Sequence, residues 1–282
     1  TADRIGSALP ARWNGSGPRR HLSAVYGSSG SIRRNGAGRH VRTCPQTQRD
    51  QTGLLPCDNP ARETGSDEQC PDRRRAGWRI VGVPGLVPDE AFFDHLANRR
   101  FPAGCFIRDA DEMDYIEEPD VFHDVFGHVP LLANPVYADF MQAYGQGGLR
   151  ALKLGRLENL ARLYWYTIEF GLIREAGDLR LFGAGIMSSP TETVFALEDA
   201  SPNRVQFDLE RVMRTNYRID DFQQTYFVID SFEELLEAAM QDFAPIYERL
   251  ANGVAYRPED VLPFDQVEHE GTQAYFRAKA AA

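Results

Sequence analysis

No stretch of this chain approaches the roughly 20 consecutive apolar residues that a membrane-spanning helix needs, so a bilayer-crossing segment is not expected. A charged, then apolar, leader is also missing from the first residues, and the cytoplasm is the expected location. Cysteine is scarce: Cys44, Cys57, Cys70 and Cys105 include no closely spaced pair of the kind that holds zinc, and reduced, unpaired thiols are the simpler reading. Basic charge is in deficit, with 31 Lys and Arg against 41 Asp and Glu and a net charge of −10. That balance argues against a nucleic-acid binder, which needs a basic surface to meet phosphate. Internal repeats and sustained heptads are absent, so a coiled-coil oligomer is not expected. What is present, 43% hydrophobic residues over 282 positions, suffices for one large domain or two small ones.

The composition breaks near Ala76. Residues 1–76 hold 13 Arg, no Lys and 7 acids, a net charge of +6, whereas the remaining 206 residues carry 18 basic and 34 acidic groups, or −16. Of the aromatic residues only Trp13 and Tyr26 fall in the first part, which is rich in Gly, Ser, Thr and Pro and shows neither helical nor strand periodicity. It buries too little apolar surface to offset its chain entropy and is read as an atypical, disordered segment. Two other readings stay open. Arg and Ser with almost no acid before Asp50 match transit-peptide composition, though without a convincing amphipathic helix, and the abrupt change of residue usage fits a mistranslated or frame-shifted stretch.

Residues 77–282 read as one continuous globular domain, mainly α in an α+β arrangement with a few short strands. Trp78 to Val83 has strand character and Pro84-Gly85 turns the chain. Pro88-Asp89-Glu90 opens a helix to about Asn98, and Asp120 can cap a short helix carrying Asp124 and Phe126 that Pro130 stops. The longest clear helix is expected from Leu157 to Ala176, with Gly177 as its stop. Ser189-Pro190-Thr191-Glu192 is a capping box, and Ser231-Phe232-Glu233-Glu234 is another, opening a helix to about Leu250. Short strands are expected near Ile80 and around Leu181-Phe182.

The chemistry is concentrated in His123-Asp-Val-Phe-Gly-His128 and in Glu169, which sits in the aromatic stretch Tyr164-Trp-Tyr-Thr-Ile-Glu169-Phe-Gly171. Two imidazoles and one carboxylate can form a face that leaves coordination positions open, the arrangement that suits non-haem Fe(II) and O2. In an α-helix, residues five apart diverge by roughly 140°. Both histidines therefore reach one metal only if the first sits at the helix entrance or the geometry relaxes near Gly127. This differs from the i,i+4 pair of zinc metalloproteases. Glu169 lies among Leu163, Tyr164, Trp165, Ile168, Phe170 and Leu172, where a carboxylate is costly to bury unless paired or metal-bound. The bland alternatives pair it with Arg162 or Arg174, or turn it to solvent. Asp124 and Glu118 are candidate outer partners for the imidazoles.

Several stretches together resemble one family. They are Val83-Pro-Gly-Leu-Val-Pro88, Phe92-Phe-Asp-His-Leu-Ala-Asn-Arg-Arg-Phe101, Glu118-Pro-Asp-Val-Phe-His-Asp-Val-Phe-Gly-His-Val-Pro130, Arg162-Leu-Tyr-Trp-Tyr-Thr-Ile-Glu-Phe-Gly171, Gly183-Ala-Gly-Ile-Met-Ser-Ser189 and Ala200-Ser-Pro-Asn-Arg-Val205. In this order, from about Gly77 to Leu250, the chain resembles the pterin-dependent aromatic amino acid hydroxylases, above all their bacterial phenylalanine-hydroxylating members. The resemblance implies Fe(II) held by His123, His128 and Glu169, and tetrahydrobiopterin or a related tetrahydropterin as cofactor. The pterin would meet Val83, Gly85, Leu86, Val87 and Phe92, whose ring would stack on the heterocycle, with Asp124 near pterin and metal. Phenylalanine would meet Arg108, Tyr115, Ile116, Pro119, Trp165 and Ser188. Arg108 would fork onto its carboxylate, and Trp165 and Pro119 would border its ring. The implied reaction takes L-phenylalanine, O2 and tetrahydropterin to L-tyrosine, with the protein supplying orientation, open metal positions and exclusion of water.

The chain departs from that pattern in three ways. Residues 1–76 do not resemble the aromatic, helical segment that bacterial members place before the Gly77 region. Ile116 stands where animal phenylalanine enzymes have threonine, which leaves only its backbone to hydrogen-bond. The animal regulatory domain and C-terminal tetramerisation helix have no counterpart, so a monomer is expected. Tyrosine or tryptophan hydroxylation is the alternative within the enzyme class. A non-catalytic binding protein and a zinc hydrolase are the alternatives outside it, the latter disfavoured by the ligand spacing.

Overall fold

The structure, a computed structural model, describes residues 77–109 and 119–281. The readings made for residues 1–76, including Cys44, Cys57 and Cys70, and those for Tyr115, Ile116 and Glu118, lie outside the described residues.

Strands β1 (Arg79–Val83) and β2 (Arg100–Gly104) pair in parallel, Arg79 opposite Arg100 and Val83 opposite Gly104. Parallel neighbours need a crossover, and helix α1 (Asp89–Ala97) supplies it. Asp89 and Glu90 favour its N-terminal end by complementing the helix dipole. Its apolar side, Phe92, Phe93 and Leu96, is buried against α2 (Pro135–Leu154). That approach is close because α2 offers glycines there. A Cβ on Gly145 would lie 2.4 Å from the Ala97 nitrogen, and one on Gly148 would lie 2.0 Å from the Phe93 ring. Helix α2 carries clear signals at both ends. The Asn134 side chain accepts from the Val136 and Tyr137 N–H groups, Pro135 opens the helix, and Gly155 closes it at φ 64°.

The helix expected to run from Leu157 to Ala176 is shorter. Helix α3 (Leu157–Tyr164) passes into a π turn, Trp165–Glu169, and then becomes strand β3 (Leu172–Glu175). Ala176 and Gly177, at φ 53° and 89°, form a hairpin turn into β4 (Asp178–Leu181). Tertiary pairing overrides helical tendency here, because Leu172 and Ile173 are claimed by Val228 and Ile229 of a later strand. Gly171 permits the change of direction: a Cβ there would lie 2.2 Å from the Phe182 ring and 2.4 Å from the Thr167 carbonyl.

Two short helices follow, α4 (Ala184–Met187) and α5 (Pro190–Glu198), then β5 (Asn203–Gln206), α6 (Leu209–Arg214) and β6 (Thr225–Ile229). The chain closes with α7 (Phe232–Met240), α8 (Phe243–Ala251), β7 (Val267–His269) and α9 (Ala274–Ala280). The larger sheet has the order β4-β3-β6-β5-β7, mixing parallel and antiparallel pairs. Its central strand β6 is buried at all five positions, which explains its unbroken β-forming run Thr-Tyr-Phe-Val-Ile. The serine half of both expected capping boxes forms, while Glu234 reaches the Asp230 N–H and Glu192 accepts from the Tyr226 hydroxyl. Ser189 accepts from the Glu192 N–H at 3.0 Å, and Ser231 from the Glu234 N–H at 3.4 Å. The helix opened by Ser231 does not reach Leu250 unbroken, however, because Gln241 turns extended and Asp242 starts α8 by accepting from the Ala244 N–H. The fold class is α+β and mainly helical, as the sequence implied. Among the described residues no helix is long and apolar enough to cross a membrane.

Candidate metal centre

His123 and His128 begin and end a π turn, His123–His128, and Glu169 ends the second one. In a π turn the hydrogen bonds run from i to i+5, so residues five apart come nearly into line along the axis. This is the local relaxation that the α-helical spacing demanded, and it puts both imidazoles on one side. The rings lie 5.2 Å apart and edge-on. His123 Nε2 is 3.5 Å from one Glu169 carboxylate oxygen and His128 Nε2 is 3.4 Å from the other. One ligand atom from each of the three residues lies within 4.8 Å of the others.

Surrounding contacts aim these groups. The Asp120 carboxylate accepts from the His123 N–H at 2.9 Å and so holds the entry of the first π turn. His123 Nδ1 pairs with the Ser188 hydroxyl at 2.8 Å, which leaves Nε2 facing the carboxylate. Asp124 Oδ2 accepts from the Gly104 N–H at 2.7 Å, pinning the turn to the end of β2. Helix α4 lies against Gly127, where a Cβ would come within 2.7 Å of the Ala184 Cβ. His128 is buried beside Phe101, ring centroids 4.9 Å apart, and its Nδ1 has no hydrogen-bond partner among the described residues. The outer partner of His123 is thus Ser188, whereas Asp124 bonds to backbone.

The electrostatics suit a cation. Burial holds His123 down at a pKa of about 4, against the pull of Glu169 in the other direction, so its imidazole is neutral and free to ligate at pH 7. Burial acts to raise Glu169, but the facing His128 imidazole and hydrogen bonds from His128 and Tyr164 offset this and keep it below the usual carboxylate range. Burial lifts Asp124 to about 7, opposed by His128 and the Gly104 N–H. An ionised carboxylate, 4% exposed and facing two imidazole nitrogens, fits a divalent metal and would be costly without one. Neither Arg162 nor Arg174 takes it: Arg162 pairs with Glu158 and Arg174 with Glu268.

The other predicted residues are placed as follows. Val83 ends β1 half-buried, Gly85 and Val87 are half-buried in the turn that follows, and Leu86 is exposed. Phe92 is buried on α1, edge-on to Phe93 and Tyr164 at 5.5 and 5.8 Å, so its contacts among the described residues are those of a core side chain. Arg108 is buried and donates through Nε (3.0 Å) and Nη2 (2.7 Å) to Asp120. Trp165 opens the second π turn, with its indole N–H on Gln223 at 2.8 Å, and Pro119 is half-buried. In the sequence Asp120 offers itself only as a cap. Its second task, fixing the Arg108 guanidinium, has no local signal across twelve residues. Gly104, Tyr217 and Gln223 were likewise missed, since each acts through tertiary contact.

Residues 72–261 match the family described as biopterin-dependent aromatic amino acid hydroxylase. The chain is 65% identical over 206 residues to a phenylalanine-4-hydroxylase of Caulobacter vibrioides, covering 73% of this chain and 70% of that protein. It is 62% identical over 200 residues to the Ralstonia nicotianae protein of the same name, covering 71% and 64% respectively. Among solved structures, phenylalanine hydroxylase from Chromobacterium violaceum bound to cobalt superposes with a TM-score of 0.68 at 58% identity, covering 70% of this chain and 71% of that one. That relative's metal, the two π turns and the extent of the match lead to one assignment: the chain belongs to the biopterin-dependent aromatic amino acid hydroxylases.

Proposed function

We propose that this protein is a phenylalanine 4-monooxygenase, converting L-phenylalanine to L-tyrosine with O2 and a tetrahydropterin at a non-haem Fe(II) held by His123, His128 and Glu169. The observation that carries the reading is the convergence of these three ligand groups from two π turns, in a chain whose relatives at 62–65% identity bear that activity in their names. Fe(II) held by His123, His128 and Glu169 would keep coordination positions open for O2 and, together with a tetrahydropterin, would supply the oxidising chemistry for the aromatic ring.

The protein's own part is binding, orientation and exclusion of water. Ser188 fixes the tautomer and plane of His123. Asp120 takes two donors of Arg108 and fixes the guanidinium plane, preparing it for the substrate carboxylate. Val83, Gly85, Leu86, Val87 and Phe92 would meet the pterin, and Asp124, bonded to the Gly104 N–H opposite Val83, would stand near pterin and metal. Trp165 and Pro119 wall the substrate ring, and Tyr115 and Ile116 complete the substrate set. The catalytic domain in this reading is residues 77–282, acting as a cytoplasmic monomer with no nucleic-acid or membrane partner. Net charge and the resemblance support that part of it.

The test is tyrosine formation from phenylalanine with Fe(II), tetrahydropterin and O2 each omitted in turn. Product that requires all three is expected. Folded, iron-loaded protein that makes none would overturn phenylalanine as the substrate, and assays on tyrosine and tryptophan would then identify the ring it accepts.

A further inference from the structure

Trp165 is gripped on two sides by one short segment. The Tyr217 ring stacks on its indole, centroids 4.4 Å apart and planes 17° apart. Six residues later, Gln223 Oε1 accepts the indole N–H at 2.8 Å. Gln223 is 1% exposed and is itself immobilised, since its Nε2 donates to the Arg218 carbonyl at 3.0 Å and its backbone N–H to Glu192 at 3.3 Å. The segment is tied down at both ends. At its start the Tyr166 hydroxyl donates to the Asn216 carbonyl at 2.6 Å, and Arg162 donates to the Asn216 side chain at 2.8 Å. At its other end buried Asp221 accepts from the Tyr275 hydroxyl at 3.0 Å and from Lys279 at 2.8 Å, both on α9. Phe222 stacks on Phe195 at 4.5 Å.

Trp165 also opens the π turn that Glu169 closes, and its carbonyl accepts the Phe170 N–H at 2.8 Å, the wide hydrogen bond of that turn. An indole with two degrees of side-chain freedom would otherwise have several rotamers open to it. Here its ring face and its N–H are both committed. We propose that Tyr217 and Gln223 are positioning residues that set the orientation of Trp165, and through it the wall met by the aromatic ring of the substrate. This rests on the hydroxylase reading for Trp165, and on the contacts above for the clamp itself. Neither residue touches the ligand set, so the clamp governs how the ring is presented and leaves metal capture alone.

Gln223→Met keeps the side chain's length and removes the acceptor. It should raise the KM for phenylalanine roughly five- to tenfold, the factor that one buried hydrogen bond is worth in an equilibrium, with bound iron unchanged. The tyrosine formed per tetrahydropterin oxidised should fall, because a misplaced ring wastes the oxidant. Adding Gln223→Met to Trp165→Phe, which has no indole N–H, should change these quantities little further. Wild-type KM and product ratio in folded Gln223→Met protein, or full additivity in the double variant, would overturn the proposal. Should Gln223→Met not fold, Tyr217→Leu at a half-buried position carries the same expectations and the same refutation. If the unaltered protein binds iron yet makes no tyrosine, the substrate reading fails on its own, and tryptophan emission decides the clamp. A change on Gln223→Met that vanishes in the Trp165→Phe background supports it, and identical spectra overturn it.

Discussion

The two π turns that carry the ligands are held by different forces. The first, with both histidines, lies partly at the surface: Phe122, Val125 and Phe126 are exposed, and Phe122 stacks on Phe126 at 4.9 Å. Polar contacts fix it, from Asp120 to its first N–H, from Ser188 to its imidazole and from Asp124 to β2. The second is buried at every position from Trp165 to Glu169 and is fixed mainly by ring packing and by the Trp165 and Thr167 hydrogen bonds. The His123 imidazole is therefore aimed by individually removable bonds, whereas His128, packed beside Phe101, and the carboxylate are held by the core itself. Changes on the first turn should alter metal affinity with the fold intact, whereas on the second only a change that preserves shape should do so.

Glu169→Gln tests that exception and has the largest expected effect. The amide keeps the buried volume, so the protein should fold, yet without an anionic ligand it should retain no ferrous iron after desalting and form no tyrosine. Retained iron would mean that the second turn is dispensable to the centre. Ser188→Ala comes next. Losing the partner of a ligand imidazole should weaken metal binding by about ten- to a hundredfold, with the melting temperature of the metal-free protein nearly unchanged. A metal titration alongside a thermal melt separates the two. Gly127→Ala is a packing change on the same turn, forcing a methyl against Ala184, and should cost about 1–3 kcal/mol in denaturant unfolding.

The smallest effect concerns acid. Burial alone would raise Asp120, but hydrogen bonds from Arg108 and from the His123 and Arg108 N–H groups hold its pKa at about 2, below the ordinary 3.8. A folded-state pKa below the unfolded one means stability that is present above about pH 4 and lost as pH falls toward 2. Acid unfolding followed by circular dichroism should thus be less steep for Asp120→Asn than for the unaltered chain. Equal slopes would show that the cap contributes nothing to acid stability.

Much of this centre was legible in the sequence, because its ligands and their neighbours are a matter of residue identity. The Ser189 and Ser231 caps and the α1 start were legible too, since those signals are local. The π geometry was not. Residue spacing flagged a conflict at His123 and His128, but no residue type announces which way a helix will resolve it. The larger sheet was missed for a related reason. Leu172 and Ile173 follow a strongly helical stretch and become strand only because Val228 and Ile229 wait for them more than fifty positions away. The break at Asp242 was readable in principle, since aspartate is a good cap, but the apolar pattern on both sides hid it. Arg108 and Asp120 show the same limit from the side of function. Each was noticed, and their pairing was visible only once the chain had folded.

Helix α2 bears on how the protein comes to hold its metal. It occupies half of the chain between His128 and Glu169, so the ligand set cannot assemble from neighbours in sequence. The two turns meet only after a long loop has closed, and that closure is entropically unfavourable until α2 has packed on α1 through Gly145 and Gly148. Metal capture is then among the last events of folding. Iron offered to the unfolded chain would find two histidines with Asp124 between them but Glu169 far along the chain, and would do little to hasten the search. Iron already seated would act on the reverse journey, slowing escape from the native state by the affinity it has for that state alone.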